Sequence, residues 1–276
     1  MSMRKDVLVH DYKITNKRVK KKIIYHFSDV HLAEFDAYSD DQEKTVAIMQ
    51  KQHWETARRS FAEGNGEPYI KESTKSTYEH FLNMIEVAND GDVLILTGDI
   101  CDYISGANLR TINAALEHFA KPFVYVKGNH EITGEILDGI CFSNINNPVQ
   151  TVELEDMLII GIDNSARDIT AEQNQKLKEA IEIGKPILIA MHIPMVTERN
   201  KILTEKVSKY FLLNHENPSA GVLEFVDIIK QNAEKIIAIL AGHLHFINNS
   251  EIAKDVTQYV ASQGALGNIN RYEIGV

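Results

Sequence analysis

Cysteine and long apolar runs are both scarce in this 276-residue chain. Its two cysteines, Cys101 and Cys141, are too few for a disulfide framework and form no CxxC pair, so we interpret both as small buried hydrophobic residues. No run approaches the ~20 apolar residues of a membrane span, and the N-terminus lacks the apolar core of a signal peptide. These absences predict a cytoplasmic protein that does not enter a membrane.

Positive charge is scarce as well. The chain has 29 lysines and arginines against 39 aspartates and glutamates, which gives a formal net charge of −10. Because a nucleic-acid-binding surface needs a basic field to neutralise phosphates, this balance argues against nucleic acid as a partner. It is compatible with a metal enzyme, since bound cations reverse the sign of the charge locally.

Five short apolar runs each end in polar residues. Each run is β-branched and too short for a helix, so it reads as a strand buried on both faces of a sheet. In α/β sheets, ligands bind beyond the carboxyl ends of the strands. The runs, with the polar residues that follow them, are Ile23–Phe27 with Asp29 and His31, Val93–Leu96 with Asp99 and Asp102, Phe123–Val126 with Asn129 and His130, Ile187–Ala190 with His192, and Ile236–Leu240 with His243 and His245.

Helical patterns separate these runs, which predicts an α/β fold. The expected helices are Asp41–Phe61, Thr74–Ala88, Leu109–Phe119, a helix capped by Thr170 that ends at Ile183, and Ala220–Asn232. A hairpin is predicted over residues 149–162, two or three short strands after Asn248, and no clear element over residues 199–213. Since no linker or repeat divides the sequence, we predict one domain over residues 1–276.

The segment at residues 36–76 is read as a helical insert. It leaves the chain directly after His31, at the edge where loops build specificity, so we predict that it caps the site. The alternative is a pair of helices that packs on the sheet and never meets substrate. If the segment is a cap, Trp54 is placed to stack on a base or ring, and Arg58 or Arg59 to contact a phosphate.

The polar residues at the strand ends form a set of possible metal ligands. Any one of them is weak evidence, because a buried histidine is more often satisfied by a backbone carbonyl. Together they offer imidazole, carboxylate and amide donors and no thiolate, a mixture that suits divalent Mn, Fe, Zn or Mg in five- or six-coordinate sites. The set is Asp29, His31, Asp99, Asn129, His192, His243 and His245.

In this order the motifs resemble those of the calcineurin-like metallophosphoesterase superfamily. The blocks are Asp29-x-His31, Gly98-Asp99-x-x-Asp102, Gly128-Asn129-His130-Glu131, His192, and Gly242-His243-x-His245. The resemblance implies a four-layer α/β/β/α sandwich with two mixed sheets and a centre of two divalent metal ions. It also implies that Asp29, His31, Asp99 and His245 hold one ion, that Asp99, Asn129, His192 and His243 hold the other, and that His130 is catalytic.

The activity that the resemblance implies is hydrolysis of a soluble phosphate ester. Two divalent ions would bind a bridging hydroxide for in-line attack, and His130 would protonate the leaving oxygen. Asp102 is not expected to touch metal; it either closes the turn or orients His130.

The chain differs in two ways from the Ser/Thr protein phosphatases of the superfamily, and both differences bear on the substrate. The Ser/Thr protein phosphatases of the superfamily have an arginine where this chain has Tyr103, and they lack the Gly-His-x-His block, so bacterial-type phosphodiesterases and small-molecule phosphatases are closer. Tyr103 is a possible substrate contact. Apart from Lys127 the motif blocks offer no cation for the extra charge of a monoester, which favours a phosphodiester. An arginine from elsewhere that reaches the site, namely Arg167, Arg199 or Arg271, would reverse that preference.

Three alternatives stand beside the phosphodiesterase. The first is a small-molecule phosphomonoesterase. The second is a non-catalytic metal-binding scaffold, against which the complete ligand set and His130 argue. The third is a nuclease, for which the acidic chain and the absence of a basic, aromatic stripe are unfavourable.

Overall fold

The computed structural model describes residues 1–117, 119–131, 146–214 and 216–275, so Cys141 lies outside the described residues. Within them the chain forms two mixed six-stranded sheets. The strands are β1 (Ser2–Arg4), β2 (Val7–Ile14), β3 (Lys22–Phe27), β4 (Val93–Leu96), β5 (Phe123–Tyr125), β6 (Val149–Glu153), β7 (Leu158–Ile162), β8 (Ile187–Ala190), β9 (Ile236–Ala241), β10 (Asn248–Ala253), β11 (Val256–Val260) and β12 (Asn268–Ile274). The helices are α1 (Asp41–Asn65), α2 (Thr77–Ala88), α3 (Gly106–Leu116), α4 (Ala171–Glu182), α5 (Leu203–Lys206) and α6 (Ala220–Gln231).

The first sheet has the order β1-β2-β12-β3-β4-β5. Its strands β3, β4 and β5 are parallel neighbours, with Phe27 opposite Leu96 and Leu96 opposite Tyr125. Because these strands end at the same level, the residues that follow them leave from one edge of the sheet.

The second sheet has the order β10-β11-β9-β8-β7-β6. Strands β7, β8 and β9 are parallel, and Ala190 of β8 lies opposite Leu240 of β9. The polar residues that follow β8 and β9 therefore also leave from one edge.

Three separate hydrophobic cores define the layers. On β4, Leu94 and Leu96 pack with α2 and α3, whereas Val93 and Ile95 pack with residues of the second sheet. The far face of the second sheet packs against α4 and α6. Since strand side chains alternate between faces, the order is helices, sheet, sheet, helices, and the predicted four-layer sandwich is confirmed.

Local capping explains where the helices differ from the sequence-based bounds. Helix α1 continues four residues beyond Phe61 and ends at Gly66, whose left-handed conformation (φ 67°) closes it. Helix α2 begins at Thr77, not Thr74, because Ser76 caps it, and α3 begins at Gly106 because Ser105 caps it. The predicted capping box of Thr170 and Gln173 opens α4. No helix in the described residues has the length and apolarity needed to cross a membrane.

Candidate metal centre and catalytic site

Five of the seven predicted ligands have left-handed backbone conformations. Their φ angles are +56° at Asp29, +54° at His31, +51° at Asp99, +73° at His243 and +58° at His245. Such conformations are uncommon for residues other than glycine and persist where surrounding structure enforces them. The strand ends therefore hold these side chains in enforced positions.

Backbone contacts between neighbouring loops supply that enforcement. The N–H of Asp29 donates to Gly98 at 3.0 Å and the N–H of His31 donates to Asp99 at 3.0 Å, so the loops after β3 and β4 pair with each other. Gly128 lies so close that a Cβ there would be 2.1 Å from Oδ1 of Asp99. Only glycine fits at this position beside the aspartate.

Glu131 braces the turn after β4, a role that the sequence analysis missed. Its buried carboxylate accepts hydrogen bonds from the N–H groups of Ile100 at 2.7 Å, Cys101 at 2.9 Å and Gly128 at 2.8 Å, and from the Tyr125 hydroxyl at 2.6 Å. The N–H of Asp99 also donates to it, at 3.2 Å. One carboxylate thus joins the ends of β4 and β5, which carry two motif blocks.

Asp29, His31 and His245 form the first cluster. Their ligand atoms all lie within 4.8 Å of one another. Nε2 of His31 is 3.1 Å from Nε2 of His245, which is 3.3 Å from Oδ1 of Asp29. The Asp29 carboxylate also accepts from the backbone N–H of His243 at 2.9 Å, which joins the ends of β3 and β9.

Asp99, Asn129, His192 and His243 form the second cluster. Nε2 of His192 lies 3.2 Å from Oδ2 of Asp99, 3.1 Å from Oδ1 of Asn129 and 3.2 Å from Nδ1 of His243. The structure therefore gathers all seven predicted ligands into two clusters at adjoining strand ends. It groups Asp99 with the second cluster only.

The hydrogen bonding of His192 tests whether these residues suit a metal. Its Nδ1 lies 2.6 Å from the carbonyl oxygen of Thr97, which can only accept, so Nδ1 carries a proton. In the neutral ring Nε2 is then a lone-pair nitrogen that faces two oxygen atoms, and His243 has a buried Nε2 without a hydrogen-bond partner. A divalent ion held by Nε2 of His192 would find the oxygens of Asp99 and Asn129 within reach, and a ring whose other nitrogen is held by a backbone carbonyl is the usual support of a metal-bound histidine. The donor set fits divalent metal.

Electrostatics keep the carboxylates in the form that binds metal. Burial alone would raise the pKa of the Asp99 carboxyl group, but His192, His31 and His130 hold that pKa well below its usual range. Burial also opposes charge on His192, yet Asp99 and Asp29 raise the pKa of its imidazole to about 9. Burial and the neighbouring His192 lower the pKa of His243 to about 3. Ionised carboxylates are the metal-binding form.

Asp102 connects His130 to the first cluster. Its Oδ1 lies 3.2 Å from Nδ1 of His130 and 3.3 Å from Nδ1 of His31, and its backbone oxygen lies 2.8 Å from the same nitrogen of His130. Burial alone would lower the pKa of His130, but the hydrogen bond to Asp102 and the charge of Asp99 raise it to about 9. Nδ1 of His130 is thus committed to Asp102, and Nε2 is left to exchange a proton with a substrate.

Trp54 covers this network from helix α1. Its indole N–H donates to Oδ1 of Asp102 at 2.8 Å, and its ring stacks on His31 with centroids 4.3 Å apart and planes at 19°. One face of the ring is therefore occupied by a predicted metal ligand. The contact with Asp102 gives Trp54 a positioning role that the sequence analysis did not anticipate.

A cavity of about 450 Å³ lies over the two clusters. Its wall includes the predicted site residues Trp54, Asp99, Asn129, His130, His243 and His245. Helix α1 also contributes His53, Ala57, Phe61 and Asn65. Helix α5 contributes Lys206, and the residues after it contribute Val207 and Phe211. Arg167 also lines the cavity, so that it and Lys206 give part of the wall a positive charge, and neither residue belongs to a motif block.

The other predicted substrate contacts do not line this cavity. The guanidinium of Arg58 is buried and donates to the backbone oxygen of Ala265 at 3.2 Å, and that of Arg59 donates to Ser73 at 3.0 Å. The Tyr103 hydroxyl is buried, and burial raises its pKa to about 12. Long side chains of α1 that satisfy backbone carbonyls are not available to a phosphate, so the expected roles of Arg58 and Arg59 need correction.

The other cationic side chains that bear on the substrate preference have acidic partners. Lys127 pairs with Asp163 at 3.0 Å, and Arg199 and Arg271 pair with Glu251 at 3.0 Å and Asp11 at 3.2 Å. Of the three arginines named as able to change the substrate preference, Arg167 alone lines the cavity within the part of the chain that the structure describes.

Comparisons with known proteins identify the family and agree with the fold. The model of the calcineurin-like phosphoesterase family matches residues 23–246. A dimetal phosphatase from Danio rerio has a similar structure, with a TM-score of 0.58 and 11% identity over 89% of this chain and 88% of that one. Purple acid phosphatase PPD1 from yellow lupin (Lupinus luteus) seeds gives a TM-score of 0.51 and 12% identity over 92% of this chain and 45% of that one. No curated protein sequence matches. The chain belongs to the calcineurin-like phosphoesterase family, and it is a hydrolase of phosphate esters that uses two divalent metal ions.

Proposed function

We propose that this chain hydrolyses a small phosphodiester at the centre formed by the two clusters. The observation that carries the proposal is the position of His130, which lies on the cavity wall beside residues of both clusters. The proposed ligands are Asp29, His31 and His245 for one ion, Asn129, His192 and His243 for the other, and Asp99 for both. When bound, two divalent ions lower the pKa of water and neutralise charge on the phosphoryl oxygens.

His130 is assigned as the general acid. With Nδ1 held by Asp102, the ring presents Nε2 to the cavity and gives its proton to the leaving oxygen of the ester. Asp102 fixes the orientation of the ring, and the backbone N–H of His130 donates to Oδ1 of Asp99 at 2.8 Å, which keeps the acid next to the second cluster.

The insert at residues 36–76 is assigned as a cap of the active site. The support is that Trp54, Ala57, Phe61 and Asn65 of α1 recur at helical spacing and line the cavity. In this position α1 narrows the entrance and excludes water from one side of the centre.

Aromatic side chains beside both clusters favour a diester. The rings of Trp54 and Phe61 lie 5.9 Å and 5.7 Å from the ring of His245, and the ring of Phe211 lies 5.9 Å from that of His243. A diester carries an organic group on each side of the phosphorus atom. Apolar walls beside both clusters provide a place for each group.

Phosphomonoesterase activity is the second candidate because of Arg167 and Lys206. The preference for a diester rested on the absence of cations from the motif blocks, and both of these residues line the cavity from outside them. A monoester dianion has an additional charged oxygen for such side chains to bind.

A comparison of two chromogenic esters tests the proposal. We expect a higher kcat/KM for bis-p-nitrophenyl phosphate than for p-nitrophenyl phosphate when both are measured with Mn²⁺, and background rates from the Asp99→Asn variant. A clear preference for p-nitrophenyl phosphate would select the phosphomonoesterase. Hydrolysis of neither ester would contradict both assignments. The use of manganese in the cell and the cytoplasmic location stay predictions from the sequence.

A further inference from the structure

Arg167 lies on the loop between β7 and α4, in a left-handed conformation with φ of +58°. Its guanidinium stacks on Tyr210, with Cζ 3.9 Å from the ring centroid. The stack fixes the plane of the guanidinium and leaves its edge, which carries the N–H groups, available to a ligand.

The guanidinium has no hydrogen-bond or salt-bridge partner among the residues that the structure describes, and its Nε is buried. A buried donor without an acceptor is unfavourable, whereas the planar fork of an arginine matches the oxygens of a phosphate. The side chain is thus held in place but unsatisfied, as expected of a group that binds an anion.

A chain of ring contacts places Arg167 on the side of the second cluster. Tyr210, on which Arg167 stacks, lies 5.5 Å from Phe211, and Phe211 lies 5.9 Å from His243. Lys206 lines the same cavity as Arg167. Arg167 also borders a second cavity, whose lining includes Lys209 and Glu216.

We propose that Arg167, with Lys206, binds a second phosphate group of the substrate, separate from the phosphate that is hydrolysed. This inference rests on the proposed function. Two divalent ions outweigh the carboxylates of Asp29 and Asp99, so the metal centre already matches a diester monoanion, and further cations are surplus to it. Two cations that line one cavity suit a phosphate dianion better than a singly charged carboxylate.

Equilibrium binding tests the inference without turnover. Thymidine 3′,5′-bisphosphate and thymidine 5′-monophosphate differ by one phosphate and neither is a phosphodiester, and each is titrated into the Mn²⁺-loaded protein by calorimetry. We expect the bisphosphate to bind about 10-fold more tightly, because a charge-assisted contact to Arg167 adds to it. Arg167→Gln should remove this advantage and leave the affinity for the monophosphate unchanged. Arg199→Gln is the matched control, since Arg199 pairs with Glu251 away from the cavity, and it should behave as wild type.

Three outcomes would overturn the inference. The first is equal affinity of wild type for the two nucleotides, or no detectable binding of either. The second is an equal loss for both nucleotides in Arg167→Gln, which would mean that Arg167 holds the phosphate of a monoester. The third is an equal loss in Arg199→Gln, which would indicate a general effect of charge.

Hydrolysis of bis-p-nitrophenyl phosphate separates this inference from the proposed function. That ester has no second phosphate, so wild type should hydrolyse it whether or not Arg167 binds a second phosphate, and the control Arg199→Gln should do so within about 2-fold of the wild-type rate. Failure of wild type to hydrolyse it would contradict the phosphodiesterase assignment, whereas the nucleotide preference in binding decides the role of Arg167.

Discussion

The two ligand clusters are covered by different parts of the chain. Over the first, Trp54 of helix α1 stacks on His31 and donates a hydrogen bond to Asp102. Beside the second, Phe211 lies near His243 and contacts Tyr210. The guanidinium of Arg167 stacks on Tyr210. Trp54 of helix α1 thus contacts the first cluster, and an aromatic and cationic wall borders the second.

Because of this difference, the residues over the first cluster are suited to position metal ligands, and those beside the second are suited to bind substrate. A ligand ring that is stacked on one face and faces a carboxylate has little freedom, so α1 is suited to fix His31 and, through Asp102, His130. The wall beside the second cluster instead has exposed aromatic rings and a guanidinium whose Nε has no hydrogen-bond partner in the described part of the chain, features that are suited to bind substrate. The following variants test the distinction, from the largest expected effect to the smallest.

Asp99→Asn should have the largest effect because Asp99 is proposed to serve both clusters. The substitution removes charge and one oxygen donor, so we expect loss of more than one ion per chain and a fall in kcat of several orders of magnitude. Elemental analysis of the purified variant measures the first effect. Asp29→Asn, which belongs to the first cluster only, should mainly lose one ion. Two full ions in Asp99→Asn would show that Asp99 does not bridge.

His130→Ala should reduce the rate in a manner that depends on the leaving group. Without the acid an alkyl ester should react about 10²–10⁴-fold more slowly, while p-nitrophenyl esters lose much less because their leaving group needs little protonation. Metal content should stay at the wild-type value, since His130 is not assigned as a ligand. Equal losses for alkyl and nitrophenyl esters would remove the general-acid assignment.

Trp54→Phe and Phe211→Leu compare the two covers directly. Trp54→Phe keeps a ring over His31 and deletes the hydrogen bond to Asp102, so we expect kcat for an alkyl ester to fall about 10-fold with little change in KM. Phe211→Leu removes an aromatic wall and should raise KM several-fold at nearly constant kcat. The reverse pattern, with KM changed by Trp54→Phe and kcat by Phe211→Leu, would exchange the roles of the two covers.

Glu131→Gln should mainly affect stability, because its carboxylate holds the ends of β4 and β5, which carry Asp99 and Asn129. An amide presents N–H groups to backbone donors that now bond to oxygen, so the free energy of unfolding should fall by about 2–3 kcal/mol. Urea unfolding of metal-free protein measures it without a contribution from bound ions. The exposed Glu182→Gln should change stability by less than about 0.5 kcal/mol. Equal effects of the two substitutions would contradict the bracing role.

The strand ends were predictable from sequence, and the covers were not. A short apolar run predicts a buried strand, and the polar residue that follows it, such as Asp99, Asn129 or His192, marks the edge of the sheet where the strand ends. The apolar pattern and the motifs therefore predicted the same site. Helix α1 and a role as a cap were also predicted, but the contacts of its side chains were not, because Trp54, Ala57 and Phe61 form no continuous apolar stripe with their neighbours.

Two further features depend on tertiary contacts that no local pattern encodes. Glu131 stands in a recognised motif, yet its five donors come from the loops after two different strands, which only the folded chain brings together. Arg167 belongs to no motif, and its place on the cavity wall follows from a stack on Tyr210, in a segment over residues 199–213 whose elements the sequence did not define. The position of Glu131 directly after His130 was its signal in the sequence, whereas Arg167 was named only as one of three arginines that could reach the site.

The central claim is that each cluster holds one divalent ion, and the metal-to-chain ratio tests it most directly. We expect two Mn²⁺ ions per wild-type chain after saturation and removal of free metal. His245→Ala, in the first cluster, and His243→Ala, in the second, should each retain about one ion, since either change leaves the other cluster complete. A wild-type ratio of one, or the loss of both ions from each variant, would contradict the assignment of one ion to each cluster.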